Sequence, residues 1–313
     1  IRLSLVGSEM CIRDRIRGGH MDGKKTALVL SGGGAKGAFQ MMAEKYAREQ
    51  KGYRWDIIAG VSVGALNGML LAMEKYARLE ELWRNITREQ VMTGQLNFWT
   101  ALKVALGAKS VYSNDPLWEI IQREYEPDKI AADLRIGTVS LRLGKYVQFT
   151  PADPGFARAV LASTAIPLVW DPVEVSPNYP DMVDGGVRTI SPLGDVLDSN
   201  PDEIVIIHCD PSEPPVHLSP FKNALDLGIH VVELMLNEIM QNDIREFIRI
   251  DKNVREAAAK GGQLYSPKGK LYKAFNYKLI EPEEILGDTL DFSREVIRMR
   301  MDAGWEAARK VLG

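Results

Sequence analysis

The residues best suited to chemistry are a serine framed by glycines and an aspartate followed by them. Ser62 is the centre of Gly60-Val61-Ser62-Val63-Gly64, a GxSxG pentapeptide. Set between a strand and a helix, that pattern holds a serine outward on a sharp turn, and the small residues let strand and helix approach closely. The helix N-terminus also favours a developing negative charge. A bare GxSxG fits an ordinary glycine turn with an incidental serine equally well, and it is the strand before and the helix after that turn the reading toward a nucleophile.

Upstream lies Gly32-Gly33-Gly34-Ala35-Lys36-Gly37, whose backbone N–H groups, unscreened by side chains at the start of a helix, make an anion site. In acyl transfer, Gly33 and Gly34 are the expected donors to the oxyanion, each good donor being worth on the order of 3 kcal/mol. Gly32, Gly34 and Gly37 also fit the GxGxxG of a dinucleotide site. The acidic residue expected about 20 positions on would then be Asp56, which opens the next strand rather than closing it. A P-loop fails because no Ser or Thr follows a Gly-Lys pair at the required spacing. Lys36 reads as a helix-entry or loop-stabilising residue.

A nucleophilic serine needs a base. Of His20, His208, His217 and His230, only His208 is well placed, and the order Ser62, Asp184, His208 matches that of α/β-hydrolase triads. A strand histidine is usually structural, however, and the glycine loop lacks the histidine of HGGG-type oxyanion loops. Asp184, in Met182-Val183-Asp184-Gly185-Gly186, is the simpler candidate, a carboxylate at a turn whose two glycines leave space beside it. An isolated Asp-Gly-Gly is far more often just a turn.

The elements that must position these groups alternate. TALVL from Thr26 is a short apolar strand, the glycine loop follows, and AFQMMAEKYAREQ has helical spacing; WDIIAGVS is a second strand, and GALNGMLLAMEKYARLEELW continues as one helix. Alternation of this kind predicts an α/β fold with a mostly parallel sheet. Residues 85–130 read as a helical insertion, RIGTVSLRL, KYVQFT and EIVIIHCD as further strands, and residues 211–313 as a largely helical extension with one last strand near KLIEPEE. The pattern contains no repeat or linker, so 21–313 is expected to be one domain with its core at about 25–210. Residues 1–20 end in Gly-Gly-His before Met21 and read as a non-native leader.

Composition narrows the function classes. Hydrophobic residues are 45% and charged residues 26% of the 313, enough for a sizeable core, and the net charge of -3 offers no broad basic field for nucleic acid. Cys11 and Cys209 have no metal or redox spacing, so neither metal nor cofactor is expected and a cytoplasmic setting fits. No apolar run reaches the roughly 18 to 20 residues of a membrane span, so any membrane contact would be peripheral. LNFWTALKVALGA, with Trp99 among its apolar residues, is either a helix packed on the core or a cover that meets lipid, the former preferred.

Taken together and in order, GGGAKG, GVSVG and DGG resemble the patatin-like phospholipase family, and ARAVLASTAIPLVWDPV before VDGGV extends the resemblance over residues 25–210. The resemblance implies a three-layer α/β/α fold and hydrolysis of glycerolipid acyl esters through an acyl-serine, without a metal. It further implies Ser62 as nucleophile, Asp184 as its dyad partner and the glycine loop as oxyanion hole. The alternatives left open are a Ser62/Asp184/His208 triad, an anion- or nucleotide-binding module, and a scaffold without turnover.

Overall fold

A computed structural model describes residues 23–93, 112–212, 224–267 and 269–313. The leader at 1–20, His217 and the LNFWTALKVALGA segment lie outside them. Strand β1 (Thr26–Leu30) is buried along its whole length, as an apolar run covered on both faces must be. It leads through the glycine loop into helix α1 (Gly37–Lys51), which stops where Gly52 takes the left-handed conformation at φ 71°. Strand β2 (Ile57–Val61) ends at the residue before Ser62, and helix α2 (Val63–Ala72) begins at the residue after it.

The single helix expected after Ser62 is broken. Helix α3 (Tyr76–Asn85) is a separate segment, because Glu74 adopts φ 55° and Ala72 gives its carbonyl to the N–H of Ala131 at 2.7 Å instead of continuing the helix. Within the expected insertion, α4 (Asp115–Glu124) packs beside α5 (Phe156–Ser163). Strands β3 (Asp133–Ser140) and β4 (Lys145–Phe149) form a hairpin. They are followed by the short β5 (Met182–Asp184), then β6 (Glu203–Ile207), the long helix α6 (Ala224–Ala259), β7 (Asn276–Ile280) and α7 (Arg294–Leu312).

The seven strands form one sheet in the order β4-β3-β2-β1-β6-β7, with β5 attached to β3. Pairing is parallel from β3 to β7, and β4 and β5 are antiparallel to β3. Side chains alternate across the sheet. Leu28, Leu30 and Ile58 pack on one side in a core that includes Phe39, Met69 and Met301, whereas Val29, Ile57 and Ile206 pack on the other against Ile244 and Phe247 of α6. The result is the expected three layers, with α6 and the short segment carrying Leu193 and Val196 on the second face.

Residues 211–313 complete this architecture. β7 extends the sheet beside β6, and α7 lies along α1, so close that Gly304 rests on the backbone of Phe39.

Candidate active site

The register of β3 explains how Ser62 and Asp184 meet. Asp133–Gly137 of β3 pair with β2, and Thr138–Ser140 pair with β5. β4 occupies the opposite edge of β3 over Ile136–Ser140, so β2 and β5 share one edge, end to end. β2 finishes at Val61 opposite Gly137, and β5, running the other way, finishes at Asp184 opposite Thr138. The residue that leaves β2 is Ser62. Two strands 120 residues apart in sequence therefore deliver the serine and the carboxylate to one point.

Ser62 takes φ 58° and ψ −128°, a conformation costly for a side-chain-bearing residue and held by its surroundings. Its N–H donates to Ser163 Oγ at 2.9 Å, and that hydroxyl donates to the Gly137 carbonyl at 2.7 Å, so α5 clamps the turn to β3. Gly60 presses on the backbone of Gly64 and Ala65, and Gly64 on the carbonyls of Leu30 and Ser31 at the end of β1, so a side chain at either would strike main chain. This is the close strand–helix approach that the pentapeptide spacing requires.

Asp184 is buried. Its Oδ1 accepts the Gly186 N–H at 2.7 Å, and Oδ2 has no completed hydrogen bond among the described residues. Burial pushes its pKa up to about 7, opposed by the hydroxyl of Ser62 and the Gly186 N–H. Ser62 is thus near enough to act on the carboxylate, in the loosely aligned arrangement common before substrate arrives. Gly185 sits against the Gly137 carbonyl and Val61, leaving no room for a side chain there.

The glycine loop borders the same point. Gly32 touches Ser62 and Ile190, and its N–H donates to the Ile190 carbonyl at 3.2 Å. Gly33, at φ 152°, lies on Cys209, and Gly34, at φ 55°, lies on Thr289. Ala35 N–H donates to Thr289 O at 2.8 Å, whereas the N–H groups of Gly33 and Gly34 have no acceptor among the described residues. Lys36 pairs with Asp210 beyond β6, which ties down the loop. Gly37 packs on Val63 and Trp83, and its carbonyl accepts from Asn67, itself bonded to Gln40 and Trp83.

An apolar cavity opens from Gly34 and Ser62. It offers about 100 Å³ of space to water-sized molecules between α2, α3, α4, the loop at Thr164–Trp170 and the segment carrying Leu290 and Phe292.

His208 is engaged elsewhere. Its Nε2 lies 2.6 Å from Ser191 Oγ, and burial pushes its pKa down to about 3, so the ring is neutral. The carboxylate of Asp184 has no contact with it among the described residues. The triad alternative is not assembled. Asp56 accepts the Thr26 N–H at 2.7 Å at the start of β1 and β2, the sheet edge away from the glycine loop, which removes the dinucleotide reading.

One organiser escaped the sequence reading. Arg300 of α7 is fully buried, and its guanidinium donates to the carbonyls of Leu286, Asp288 and Asp291 at 2.7 to 2.8 Å. It shapes the very loop that seats Gly34 and Ala35. An arginine in a periodic helix carries no signal of this; only the need of the loop's carbonyls for donors, invisible in sequence, requires it.

A serine on a strained strand–helix turn, a buried carboxylate beside it and a glycine loop with two N–H groups unmatched among the described residues gather at the carboxyl ends of β1 and β2, on a three-layer fold of the patatin type. The family model for patatin-like phospholipases matches residues 28–197, more than half of the chain. The chain belongs to the patatin-like phospholipase family. Among solved structures it is similar to VipD from Legionella pneumophila, at a TM-score of 0.43 and 13% identity over 92% of this chain and 66% of that one. The chain thus spans just under two thirds of VipD's length. No curated protein matches it.

Proposed function

We propose that this protein is a serine-dependent lipid acyl hydrolase working with a Ser62–Asp184 dyad. The observation that carries the reading is the convergence of β2 and β5, which sets a carboxyl of pKa about 7 beside a strained serine at the mouth of an apolar cavity. A carboxylate so poised is a competent base near neutrality.

Ser62 Oγ forms a bond to the ester carbonyl carbon as its proton passes to Asp184. The resulting oxyanion is met by the N–H groups of Gly33 and Gly34. On collapse the C–O bond to the leaving alcohol breaks, the alcohol takes the proton from Asp184, and the acyl group stays on Ser62 with its chain in the cavity. Water then attacks the acyl-serine, Asp184 accepting its proton and returning it to Ser62 as the fatty acid leaves. No step requires a metal or cofactor.

Hydrolysis of a p-nitrophenyl acyl ester tests this. Ser62→Ala and Asp184→Asn should each lower kcat by at least about 10³-fold with unchanged circular dichroism, and His208→Ala, if folded, should keep most of it. A folded Asp184→Asn protein with near-normal turnover would remove the dyad.

A further inference from the structure

Asp243 of α6 takes no part in the proposed chemistry, yet its carboxylate is tied to main chain beside the site. The Ser191 N–H donates to its Oδ2 at 3.4 Å, and the Ile190 N–H acts on the same carboxylate. Ile190 and Ser191 are buried, and neither N–H has a main-chain acceptor among the described residues, so Asp243 supplies the acceptor that buried donors require. No cation offsets its charge: burial pushes its pKa up to about 6, and only these two N–H groups oppose the shift.

The strip that Asp243 holds lies between the parts of the site. The Ile190 carbonyl accepts the Gly32 N–H at 3.2 Å. The Cδ1 methyl of Ile190 is 3.3 Å from the point where a side chain would begin at Gly32, and 3.5 Å from that point at Gly186. Gly32 in turn touches Ser62, and Gly186 donates to Asp184 Oδ1. Ile190 is therefore wedged between the glycine that abuts the nucleophile and the glycine that holds the base. His208 reaches only the hydroxyl of Ser191, which leaves the main chain of the strip to Asp243.

We propose that Asp243 is a positioning residue of the acyl-transfer site, holding residues 190–191 from α6 so that Ile190 keeps the glycine loop aligned with Ser62 and Asp184. The proposal rests on the hydrolase reading above and names the support behind its oxyanion donors, since Gly33 and Gly34 follow directly on the glycine that Ile190 holds. A displacement of about 1 Å at a catalytic group can cost on the order of 10²-fold in rate.

The test compares kcat and KM for a soluble p-nitrophenyl ester in Asp243→Ala, Asp243→Asn and Asp251→Ala, alongside hydrogen exchange of the peptide containing Gly32, followed by mass spectrometry. Asp251 is the control, a buried carboxylate of the same helix that accepts the Phe275 N–H at 2.8 Å at the start of β7, away from the site. Asp243→Ala should lower kcat about tenfold or more with KM changed less than about threefold, and the Gly32 peptide should exchange faster. Asp243→Asn keeps an acceptor oxygen and should recover most of both; Asp251→Ala should leave both near the parent's. If Asp243→Ala does not fold, Ile190→Val decides in its place, since it removes only the methyl between the two glycines and should lower kcat about threefold or more at unchanged KM. Unchanged kcat or unchanged exchange in Asp243→Ala, unchanged kcat in Ile190→Val, an Asp243→Asn protein no better than Asp243→Ala, or an equal fall in kcat in Asp251→Ala overturns the role. A parent that hydrolyses no ester strikes the hydrolase reading instead, and exchange at Gly32 alone then upholds or removes the hold of Asp243 on the glycine loop.

Discussion

An aspartate in water is too weak a base for a serine hydroxyl, and burial is what changes that at Asp184. With the Asp184 pKa at about 7, the proposed dyad would carry an acid limb: kcat/KM for a soluble ester should rise with pH through about 7 and level off above it. A limb near 4 would mean that the carboxyl is not desolvated. The same shift bears on stability. Between the ordinary 3.8 and about 7 the folded protein holds a proton that the unfolded chain has released, so stability falls as pH rises through that window and is flat above it. Asp184→Asn lacks the decline, and its Tm should exceed that of the parent more at about pH 8 than at about pH 4, as thermal melts at the two pH values would show. Ser62 was legible in sequence because its signal is local, a strand, two glycines and a helix within a few residues. The pKa of Asp184 was not, because it depends on what buries the side chain.

At the scale of elements, the parts that came through in the sequence were those with their own apolar run or periodicity, among them β1 to β4, β6, β7, α1, α5 and α7. β5 did not. It is three residues long in a stretch rich in proline and aspartate, and it exists only because β3 runs on past the end of β2 and leaves an edge to pair with. The break between α2 and α3 was hidden in the same way, since Glu74 and Lys75 are ordinary helix formers and the break comes from the approach of Ala131. The C-terminal elements carry no motif, yet α7 governs the glycine loop through Arg300 and the 286–291 segment. Arg300→Met should remove the buried guanidinium's bonds to three carbonyls, of which only that of Asp288 keeps another donor, the Asp291 N–H at 3.2 Å, and destabilise the protein by about 3 kcal/mol in urea unfolding. In the fraction still folded, kcat should fall more than KM changes if the glycine-loop N–H groups are the oxyanion donors proposed above. An Arg300→Met protein of parental stability and turnover would show that the loop holds itself.

Over the whole molecule, fold and site meet at one edge of the sheet, where the apolar cavity runs back from Ser62 along α2 toward Leu70 and across to Ile121 of α4. Leu70 lies eight residue steps beyond Ser62, roughly 12 Å at 1.5 Å each, the depth over which the proposed acyl chain would run. Filling it should shift specificity: Leu70→Trp is expected to lower kcat/KM for long-chain esters about tenfold relative to butyrate, measured across a p-nitrophenyl ester series. A uniform loss at every length would place the chain elsewhere. The sequence pointed to Ser62 and Asp184 but not to this cavity, whose walls come from seven separate stretches of chain. The most direct test of the central claim is a fluorophosphonate probe applied to the intact protein and followed by peptide mass spectrometry. The account predicts a single adduct on Ser62, lost in Ser62→Ala and sharply slowed in Asp184→Asn; a folded protein left unlabelled, or labelled equally fast without Asp184, would contradict it.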